Sequence, residues 1–515
     1  MERLKELAIA LSLANLCFLA YWLDLGASPY FQQQPATAND VAVLADVVLL
    51  GLVLWVFYSL AKSSRSTFAL DTARCAFIIV LLIPLNALRH HLPGVNTEDL
   101  LRFLTKSELI LLCIVLGAIS AYVVVRWRRR IIRILALLVL ILSPAITFTF
   151  GRVLVRWYTY KSADWSESHP ISGVSSTRPP SAHRVLWIVF DEMDERLTFI
   201  DRPAGLRLPE IDRLQGESLS AVNAYPPAGN TLLSMPSLIN GRVVKEAKPK
   251  GSRDLLLTYS GSPDVVNWRN TPNVFAKARD LGFKTALVGW ALPYGRVIGS
   301  SLGFCQCFPY RPPDSELPFL ATMVKQFAFV PSLFPFLDQM DWLNPTWLSL
   351  NHQEMVAHIK TFHAFHQIAV PMATNPDFNL VLIHWPTPHL PGIYNRFRGD
   401  FDDSGKGTYV DNLALVDRAL GEIRHAMEAK GVWDCTTVLV TSDHWFRESM
   451  RLGGKTDHRI PFMLKLAGQT KRLDYTPTLN TVVTHDLILA ILKRELCNPE
   501  SVAQWLDQRS RASPQ

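Results

Sequence analysis

Residues 185–195 read VLWIVFDEMDE, a run of six apolar residues that passes directly into acidic side chains. Because β-branched and aromatic residues favour extended backbone, we predict a strand over residues 185–190, and its lack of polar residues indicates burial on both faces. Such strands are typical of parallel sheets that carry helices on both sides. Asp191 and Glu192 follow at the carboxyl end, the edge where open α/β sheets bind ligands.

The sequence after this stretch alternates short apolar strands with amphipathic helices, which predicts an α/β sheet covered on both faces. Two further predicted strands also end in polar side chains. The strand at 378–383 runs into His384, and the strand at 436–441 runs into Asp443 and His444. The other main predicted elements are helices at 273–281 and 409–429 and a strand at 284–288.

Carboxylate and imidazole side chains together suit a divalent metal of the zinc or manganese type. A helix cap or an ion pair explains any single strand end equally well. Three such ends in one domain, with His389 five residues after His384, favour a metal-dependent site at this edge of the sheet.

The composition indicates that part of the chain lies outside water. Of its 515 residues, 49% are hydrophobic and only 19% are charged, whereas soluble domains carry about 25% charged residues. Residues 1–161 carry 16 Lys and Arg against 9 Asp and Glu, and residues 162–515 carry 36 of each. The net charge of +7 therefore lies wholly in the N-terminal third, which argues against a nucleic-acid partner for the larger domain.

Apolar runs near the roughly 20 residues that cross a bilayer recur in the N-terminal third. They are 7–25, 41–61, 73–88, 107–125 and 131–150. A buried core helix would explain one such run, but not five within 150 residues. With a cytoplasmic N-terminus, ten Lys and Arg residues fall in inner segments and three in outer loops, as the positive-inside rule expects. Arg152, Arg156 and Lys161 lie outside just after the last span and weaken this count without reversing it.

Five spans place everything after residue 150 on the outer side of the membrane. We therefore predict a helical membrane domain at 1–150, a juxtamembrane segment with a Ser/Pro-rich linker at 151–182, and an exported α/β domain at 183–515, in a bacterial-type inner membrane. Disulfides form in such exported domains. Four cysteines there allow three connectivities, and these are Cys305, Cys307, Cys435 and Cys497.

Several segments resemble the alkaline phosphatase superfamily, which includes sulfatases and phosphodiesterases. The run at 185–195 looks like the first strand and metal-binding acid of that group. AGNTLLSMPSLINGR at 228–242 is similar to its nucleophile segment, and NVFAKARDLGFKTALVGW at 273–290 to the helix and strand that follow. Residues 409–445 resemble its long helix, strand and Ser-Asp-His close, and HRIPFMLK at 458–465 its last histidine motif. These segments occur in the family's order.

The resemblance implies a metal-dependent enzyme with Thr231 as its nucleophile. It implies that one divalent ion, Zn or Mn, is held by Asp191, Thr231, Asp443 and His444. A second ion or the substrate phosphate would be held by residues among His389, His458, His384, Glu192 and Asn230. Of these, His384 is explained equally well as a hydrogen-bonded core histidine. Metal coordination would turn a threonine hydroxyl into an effective nucleophile at neutral pH, and a helix start offers N–H groups to a phosphate.

The departures from the family pattern are also informative. Sulfatases have a Cys or Ser followed by Pro and Arg at the places of Thr231, Leu233 and Met235, so we do not expect sulfate ester hydrolysis. Trp445 stands where the family often has Gly. Lipid A phosphoethanolamine transferases and lipoteichoic acid synthases usually have Glu in place of Asp191.

Membrane spans followed by an exported catalytic domain resemble those two transferase groups. We therefore expect transfer of phosphoethanolamine or phosphoglycerol from a membrane phospholipid donor to an envelope glycan or glycolipid acceptor, through a phosphothreonine. A membrane-tethered phosphodiesterase or phosphatase is the alternative, and a non-catalytic membrane scaffold is a third. The head group and the acceptor stay open.

One stretch, residues 308–350, interrupts the α/β pattern with seven prolines and many aromatic residues. Its aromatic side chains are expected either to cap the core or to form an interfacial element that lies on the bilayer and guides a lipid toward Thr231.

Overall fold

The computed structural model describes residues 2–26, 37–64, 66–92, 105–159, 183–250, 254–309, 319–332 and 350–512. The chain forms two compact units. A helical unit comprises residues 1–29, 35–162 and 313–350, and an α/β unit comprises residues 30–34, 163–312 and 351–515.

The described part of the helical unit consists of α-helices. They are α1 (Glu2–Cys17), α2 (Leu19–Gly26), α3 (Thr37–Ser63), α4 (Thr67–His91), α5 (Lys106–Ile141), α6 (Pro144–Thr159) and α11 (Phe319–Ser332). Ser66 caps α4, and Thr105 with Glu108 forms a capping box at the start of α5, which explains why both helices begin where they do. Ala14, Val43 and neighbouring side chains form a small buried cluster between helices.

Three helices are long and apolar enough to cross a membrane. Their apolar stretches are Asp40–Ser63, Thr67–Arg89 and Arg130–Val155. These coincide with the predicted runs at 41–61, 73–88 and 131–150. Between 6% and 28% of the residues in these stretches are buried within the protein, so most of their apolar surface lies outside the protein interior.

The other two predicted runs differ from the structure. The run at 7–25 is divided between α1 and α2 at Phe18, and the run at 107–125 is part of α5, whose apolar stretch is Ser107–Ile119. The basic segment at 126–130 lies within α5, which has a kink at Trp127, whose φ of −119° and ψ of 20° are not helical. Five spans therefore remain a prediction.

The α/β unit contains the remaining regular elements. Its helices are α7 (Pro209–Gly216), α8 (Thr231–Asn240), α9 (Val274–Asp280), α10 (Tyr294–Ile298), α12 (Leu350–Thr374), α13 (Tyr409–Ala429), α14 (Thr484–Leu492) and α15 (Pro499–Ala512). Its strands are β1 (Arg184–Asp191), β2 (Leu219–Ala221), β3 (Ala224–Tyr225), β4 (Val244–Lys250), β5 (Asp254–Tyr259), β6 (Val265–Asn267), β7 (Thr285–Trp290), β8 (Phe304–Phe308), β9 (Leu380–Pro388), β10 (Tyr394–Asn395), β11 (Asp400–Phe401), β12 (Thr436–Ser442), β13 (Phe462–Lys465), β14 (Leu473–Tyr475) and β15 (Leu479–Asn480).

Eight strands form the main sheet in the order β14-β2-β13-β12-β1-β9-β7-β8. The five strands from β12 to β8 are paired in parallel, and β13 runs antiparallel to both of its neighbours. The strand predicted at 185–190 is thus the centre of the sheet. Its position beside β12 and β9 brings the ends of all three strands to one edge.

Alternate residues of β1 supply the cores on the two faces of the sheet. Val185, Trp187 and Val189 belong to one buried cluster together with residues of α8, α9 and α14. Leu186, Ile188 and Phe190 belong to a second cluster with residues of α12 and α13. Every residue of β1 is buried, as expected for a sheet that is covered on both sides.

Residues 313–350 group with the helical unit, although the predicted domain at 183–515 included them. Within this stretch the structure describes α11, whose Phe327 packs edge-on against Phe18 with ring centroids 5.5 Å apart. This aromatic contact explains why α11 joins the helices rather than capping the α/β core.

All seven cysteines are free thiols in this structure. Cys305 and Cys307 lie on β8 with their Sγ atoms 3.6 Å apart. Cys435 and Cys497 are exposed.

Candidate metal-dependent active site

Three neighbouring strands bring acidic and imidazole side chains together at one edge of the main sheet. β1 ends at Asp191, β9 carries His384, and Asp443 follows β12. One ligand atom from each of these three buried side chains lies within 4.8 Å of the others. Among the described residues, these are the His, Cys, Asp or Glu side chains that lie close enough together, in a group of at least three, to hold one metal ion.

Thr231 is the first residue of α8, and its hydroxyl adjoins this group. Its Oγ1 donates a hydrogen bond to Oδ2 of Asp443 at 2.7 Å and lies 3.4 Å from Nε2 of His444. The preceding residue, Asn230, caps the helix by accepting a hydrogen bond from the N–H of Leu233 at 3.0 Å. The cap therefore fixes the backbone that carries Thr231, and it occupies the oxygen of the Asn230 side chain.

His444 and His389 are held by backbone carbonyls. Nδ1 of His444 lies 2.9 Å from the carbonyl oxygen of Trp445. Nδ1 of His389 lies 2.5 Å from the carbonyl oxygen of Leu390. Because a carbonyl can only accept, each Nδ1 carries the proton, and each Nε2 presents a lone pair. Nε2 of His444 lies 3.5 Å from Oδ2 of Asp443. This is the way in which metal-binding histidines are usually oriented.

Burial and mutual repulsion control the charges of the carboxylates. Burial, together with the charges of Asp443 and Glu192, raises the pKa of Asp191 well above its usual range. Burial also raises the pKa of Asp443, but the neighbouring imidazoles and the hydrogen bond from Thr231 outweigh it and lower the pKa overall. Burial lowers the pKa of His384 to about 4, so this imidazole is neutral at physiological pH. Two close carboxylates and a neutral imidazole favour a bound cation.

Unpaired atoms in the group fit the same conclusion. Oδ1 of Asp191 and Nε2 of His384 are buried and have no hydrogen-bond partner among the described residues, although buried polar atoms are nearly always paired. The opposite atoms are fixed, because Trp290 Nε1 donates to Oδ2 of Asp191 at 2.9 Å and Tyr294 Oη lies 2.8 Å from Nδ1 of His384. The donor set is therefore suited to zinc or manganese.

Glu192 forms a second charged group beside the first. Its φ of 67° is unusual for a residue with a side chain, and its buried carboxylate accepts a hydrogen bond from Nε of Arg447 at 2.7 Å. Its other oxygen lies 3.9 Å from Nε2 of His389. Strained backbone of this kind is often found at functional sites. The guanidinium group of Arg447 therefore neutralises the charge of Glu192. The sequence analysis had considered Glu192 as a ligand of a second metal ion.

His458 and Trp445 stack on each other beside the segment that carries Thr231. Their ring centroids are 4.1 Å apart with an angle of 24° between the planes. A Cβ built on Gly229, two residues before Thr231, would lie 2.6 Å from the ring of Trp445. Only glycine lets Trp445 approach this segment so closely. His458 is therefore placed by stacking and lies outside the three-residue ligand group.

Sequence reasoning did not identify Trp290, Tyr294 or Arg447 as site residues. Trp290 ends β7, so the rule that ligands gather at strand ends would have found it. Tyr294 lies in α10 and Arg447 three residues after His444, and no local pattern marks either residue. Their roles depend on contacts between elements that are distant in the chain.

The buried Asp–His group lies at the ends of neighbouring parallel strands, and the hydroxyl of Thr231 lies beside it at the start of α8. Residues 244–463 match the family model "Type I phosphodiesterase / nucleotide pyrophosphatase". The match covers less than half of the chain; it includes His384, Asp443 and His444, and it begins after Thr231. It supports an alkaline-phosphatase-like α/β domain with enzymatic activity of the phosphoesterase type. No curated protein sequence matches the chain significantly.

Several solved structures are similar to this chain at low identity. The PsFucS1 sulfatase from Pseudoalteromonas sp. is 17% identical, with 62% of this chain and 69% of that chain covered and a TM-score of 0.41. The phosphonate monoester hydrolase of Agrobacterium radiobacter is 12% identical, with 60% and 74% covered and a TM-score of 0.37. A protein in the alkaline phosphatase superfamily from Vibrio parahaemolyticus is 12% identical, with 66% and 73% covered and a TM-score of 0.36. At these TM-scores, no assignment rests on the similarities.

Proposed function

We propose that this protein is a membrane-anchored, metal-dependent phosphotransferase that forms a covalent phosphothreonine on Thr231. The observation that carries the proposal is the hydrogen bond from Thr231 to Asp443, at a helix start beside a buried group of metal-ligand type. A hydroxyl held in this way has a proton acceptor within contact distance. The N–H groups at the start of α8 favour a phosphate anion at the same place.

In the first step, Oγ1 of Thr231 attacks the phosphorus of the donor. The Oγ1–P bond forms while the P–O bond to diacylglycerol breaks, and the hydroxyl proton, held by Asp443, passes to the diacylglycerol oxygen. In the second step, an acceptor hydroxyl attacks the same phosphorus, and its proton returns to Oγ1 as the Oγ1–P bond breaks. A bound divalent cation would lower the pKa of the hydroxyl and stabilise the developing negative charge.

The residues that would hold this ion are Asp191, His384, Asp443 and His444, next to the hydroxyl of Thr231. We propose a single ion per chain. The support is the ion pair between Glu192 and Arg447, because the guanidinium already supplies the positive charge that a second ion would bring to this carboxylate.

A phospholipid is the proposed donor, with phosphoethanolamine or phosphoglycerol as the head group. Three apolar helices of spanning length support anchoring in the membrane where such a donor lies. The excess of Lys and Arg in the segments predicted to be inside supports an α/β unit on the outer, periplasmic face. An envelope glycan or glycolipid is the proposed acceptor.

Hydrolysis is the second candidate, in which water replaces the acceptor. The match of residues 244–463 to a phosphodiesterase family favours it. Both candidates share the covalent step at Thr231 and differ only in what removes the phosphoryl group. Sulfatase chemistry is not proposed, because Thr231, Leu233 and Met235 lack the required residue types.

The deciding experiment uses the purified full-length protein in lipid nanodiscs with head-group-labelled phosphatidylethanolamine or phosphatidylglycerol. We expect at least one of the two lipids to release diacylglycerol and its label to be transferred to the added glycolipid. Label that appears only as the free phosphorylated head group would make the protein a hydrolase. The absence of any diacylglycerol release from these lipids would contradict the lipid donor. Ser234→Ala is the matched control, since this hydroxyl on the same helix donates a hydrogen bond to the carbonyl of Ala228 and none to the Asp–His group.

A further inference from the structure

A polar cavity of about 400 Å³ opens in the α/β unit, apart from the Asp–His–Thr group. Its volume lies within the range of about 300–1,000 Å³ that small-molecule sites occupy. The backbone links it to the catalytic edge, because the N–H of Glu195 donates to the carbonyl of Arg459 at 3.2 Å. Arg459 directly follows His458, and Glu195 lies four residues after Asp191. The cavity is therefore built on the two segments that also supply site residues.

Glu195 is the unusual side chain of this cavity. It lines the space although only 4% of its surface is exposed. Among the described residues its carboxyl group has neither a hydrogen-bond partner nor an ion pair. Burial raises the pKa of Glu195 to about 8. The small exposed fraction of this side chain leaves a hydrogen-bonding group open to a ligand in the cavity.

The guanidinium groups around it do not make the cavity a simple anion site. Three arginines line it, and each is paired with an aspartate: Arg202 with Asp212, Arg459 with Asp457, and Arg472 with Asp474. An anion would have to compete with these aspartates for the guanidinium groups, and the carboxyl group of Glu195 would repel it when ionised. A cation would be repelled by the three guanidinium groups. The lining as a whole therefore matches neither a negative nor a positive ligand.

A neutral ligand with several hydroxyl groups is matched. The carboxyl group of Glu195 can accept or donate a hydrogen bond, and Arg472, which donates to Gln215 Oε1 at 2.9 Å, presents further N–H groups. Phe199, which is half-buried, adds an apolar surface to the same lining. Alternating donors and acceptors beside an aromatic ring suit the polar edge and apolar face of a sugar ring.

We propose that this cavity binds a sugar residue of the acceptor, with Glu195 as its central hydrogen-bonding group. The inference rests on the proposed transferase function and deepens it, since it assigns the proposed glycan acceptor a binding site. A glycan bound here lies against the segments that carry Asp191 and His458.

The test measures binding without a donor, so that turnover plays no part. The full-length protein in nanodiscs is titrated with methyl glucoside, methyl mannoside, methyl galactoside and N-acetylglucosamine, and separately with inorganic phosphate and ethanolamine, by saturation-transfer difference NMR. We expect at least one sugar to bind, and Glu195→Ala to weaken its binding by about tenfold or more, because a hydrogen bond to a buried carboxyl group is lost. Glu195→Gln keeps the shape and is expected to bind more tightly than Glu195→Ala.

The matched control is Glu495→Gln, an exposed glutamate that does not line the cavity, and it should bind the sugar as the wild type does. Thermal unfolding of both Glu195 variants checks that they are folded. Binding of phosphate or ethanolamine instead of any sugar, or sugar binding that survives Glu195→Ala, would overturn the inference. If the sugar binds here but a separate incubation with the phospholipid donor gives no phosphoryl adduct on Thr231, this site is retained and the proposed function is contradicted.

Discussion

Val189 in β1 is fully buried, whereas Val53 in the middle of α3 leaves 55% of its surface exposed. The same contrast holds along both elements. All eight residues of β1 are buried, while Leu49, Phe57 and Leu60 of α3 are each at least 45% exposed. One unit hides its apolar residues between a sheet and helices, and the other presents them on its outside.

This difference indicates which solvent each unit requires. Exposed apolar patches larger than a few hundred Å² are rare on proteins in water, so the exposed Leu49, Val53 and Phe57 of α3 are compatible with a lipid environment. Asp191 and Asp443, by contrast, lie at the edge of a core that excludes water, where their charges favour a cation. The helical unit is therefore suited to hold the enzyme at a bilayer, and the α/β unit to carry out the chemistry.

The largest expected effect is on catalysis in the α/β unit. Thr231→Ala should lower turnover by at least about a thousandfold, because the residue that forms the covalent bond is lost. Its stability should change by no more than about 1 kcal/mol, since Asn230, not Thr231, caps α8. Diacylglycerol release and thermal unfolding measure the two effects. Turnover within tenfold of the wild type would show that another group is the nucleophile.

A charge placed in each unit tests the comparison directly. Val53→Lys should weaken membrane insertion of the helical unit by about 2.5–3.5 kcal/mol, the cost of lysine near the centre of a spanning helix. Val265→Lys is the matched variant in the α/β unit, where Val265 is 63% exposed, and should change stability by less than about 0.5 kcal/mol. Membrane fractionation and unfolding of both variants check this. Equal tolerance at the two positions would mean that α3 does not face lipid.

Metal binding should depend on His384. His384→Ala is expected to lower metal affinity by at least about tenfold, measured by elemental analysis after dialysis against a weak chelator. His366→Ala is the control, because His366 pairs with Glu422 and does not belong to the ligand group. We expect one ion per chain in the wild type and in the control. Full metal retention by His384→Ala would remove this residue from the ligand set.

The smallest expected effect concerns acid stability. The hydrogen bond with His485, together with the charge of Arg509, lowers the pKa of Asp486 to about 2. Its stabilising contribution is therefore complete above about pH 4, the usual value of an unfolded aspartate, and is lost as the pH falls through about 2. Asp486→Asn should lower stability by under about 1 kcal/mol at pH 6 and by almost nothing near pH 2. Thermal unfolding at both pH values measures the difference, and an equal loss at both would contradict the assignment.

The sequence predicted the bounds of an element correctly where neighbouring residues, such as a helix cap or a terminating glycine, determine them. Helix α13 has the predicted bounds Tyr409–Ala429, because a capping box at Thr408 starts it and Gly431 ends it. Strand β9 was predicted to end at 383 but extends to Pro388. The extra residues continue the sheet beside β1, where Pro388 pairs with Asp191, and such long-range pairing leaves no local trace.

The same limit applies to the candidate site. Asp191, Asp443 and His444 were predicted because each follows an apolar strand. His384 also follows an apolar strand, but it received less weight than these residues because a hydrogen-bonded core histidine explained it equally well. Arg447 was missed altogether, because its partner Glu192 is 255 residues away in the chain.

A single measurement tests the central claim most directly. The full-length protein is incubated with the phospholipid donor, quenched in acid, digested and analysed by mass spectrometry for a phosphorylated head group on a peptide. The proposal predicts a phosphoethanolamine or phosphoglycerol adduct on Thr231, which is absent from Thr231→Ala and retained in Ser234→Ala. Turnover without any such adduct, or an adduct on another residue, would contradict it.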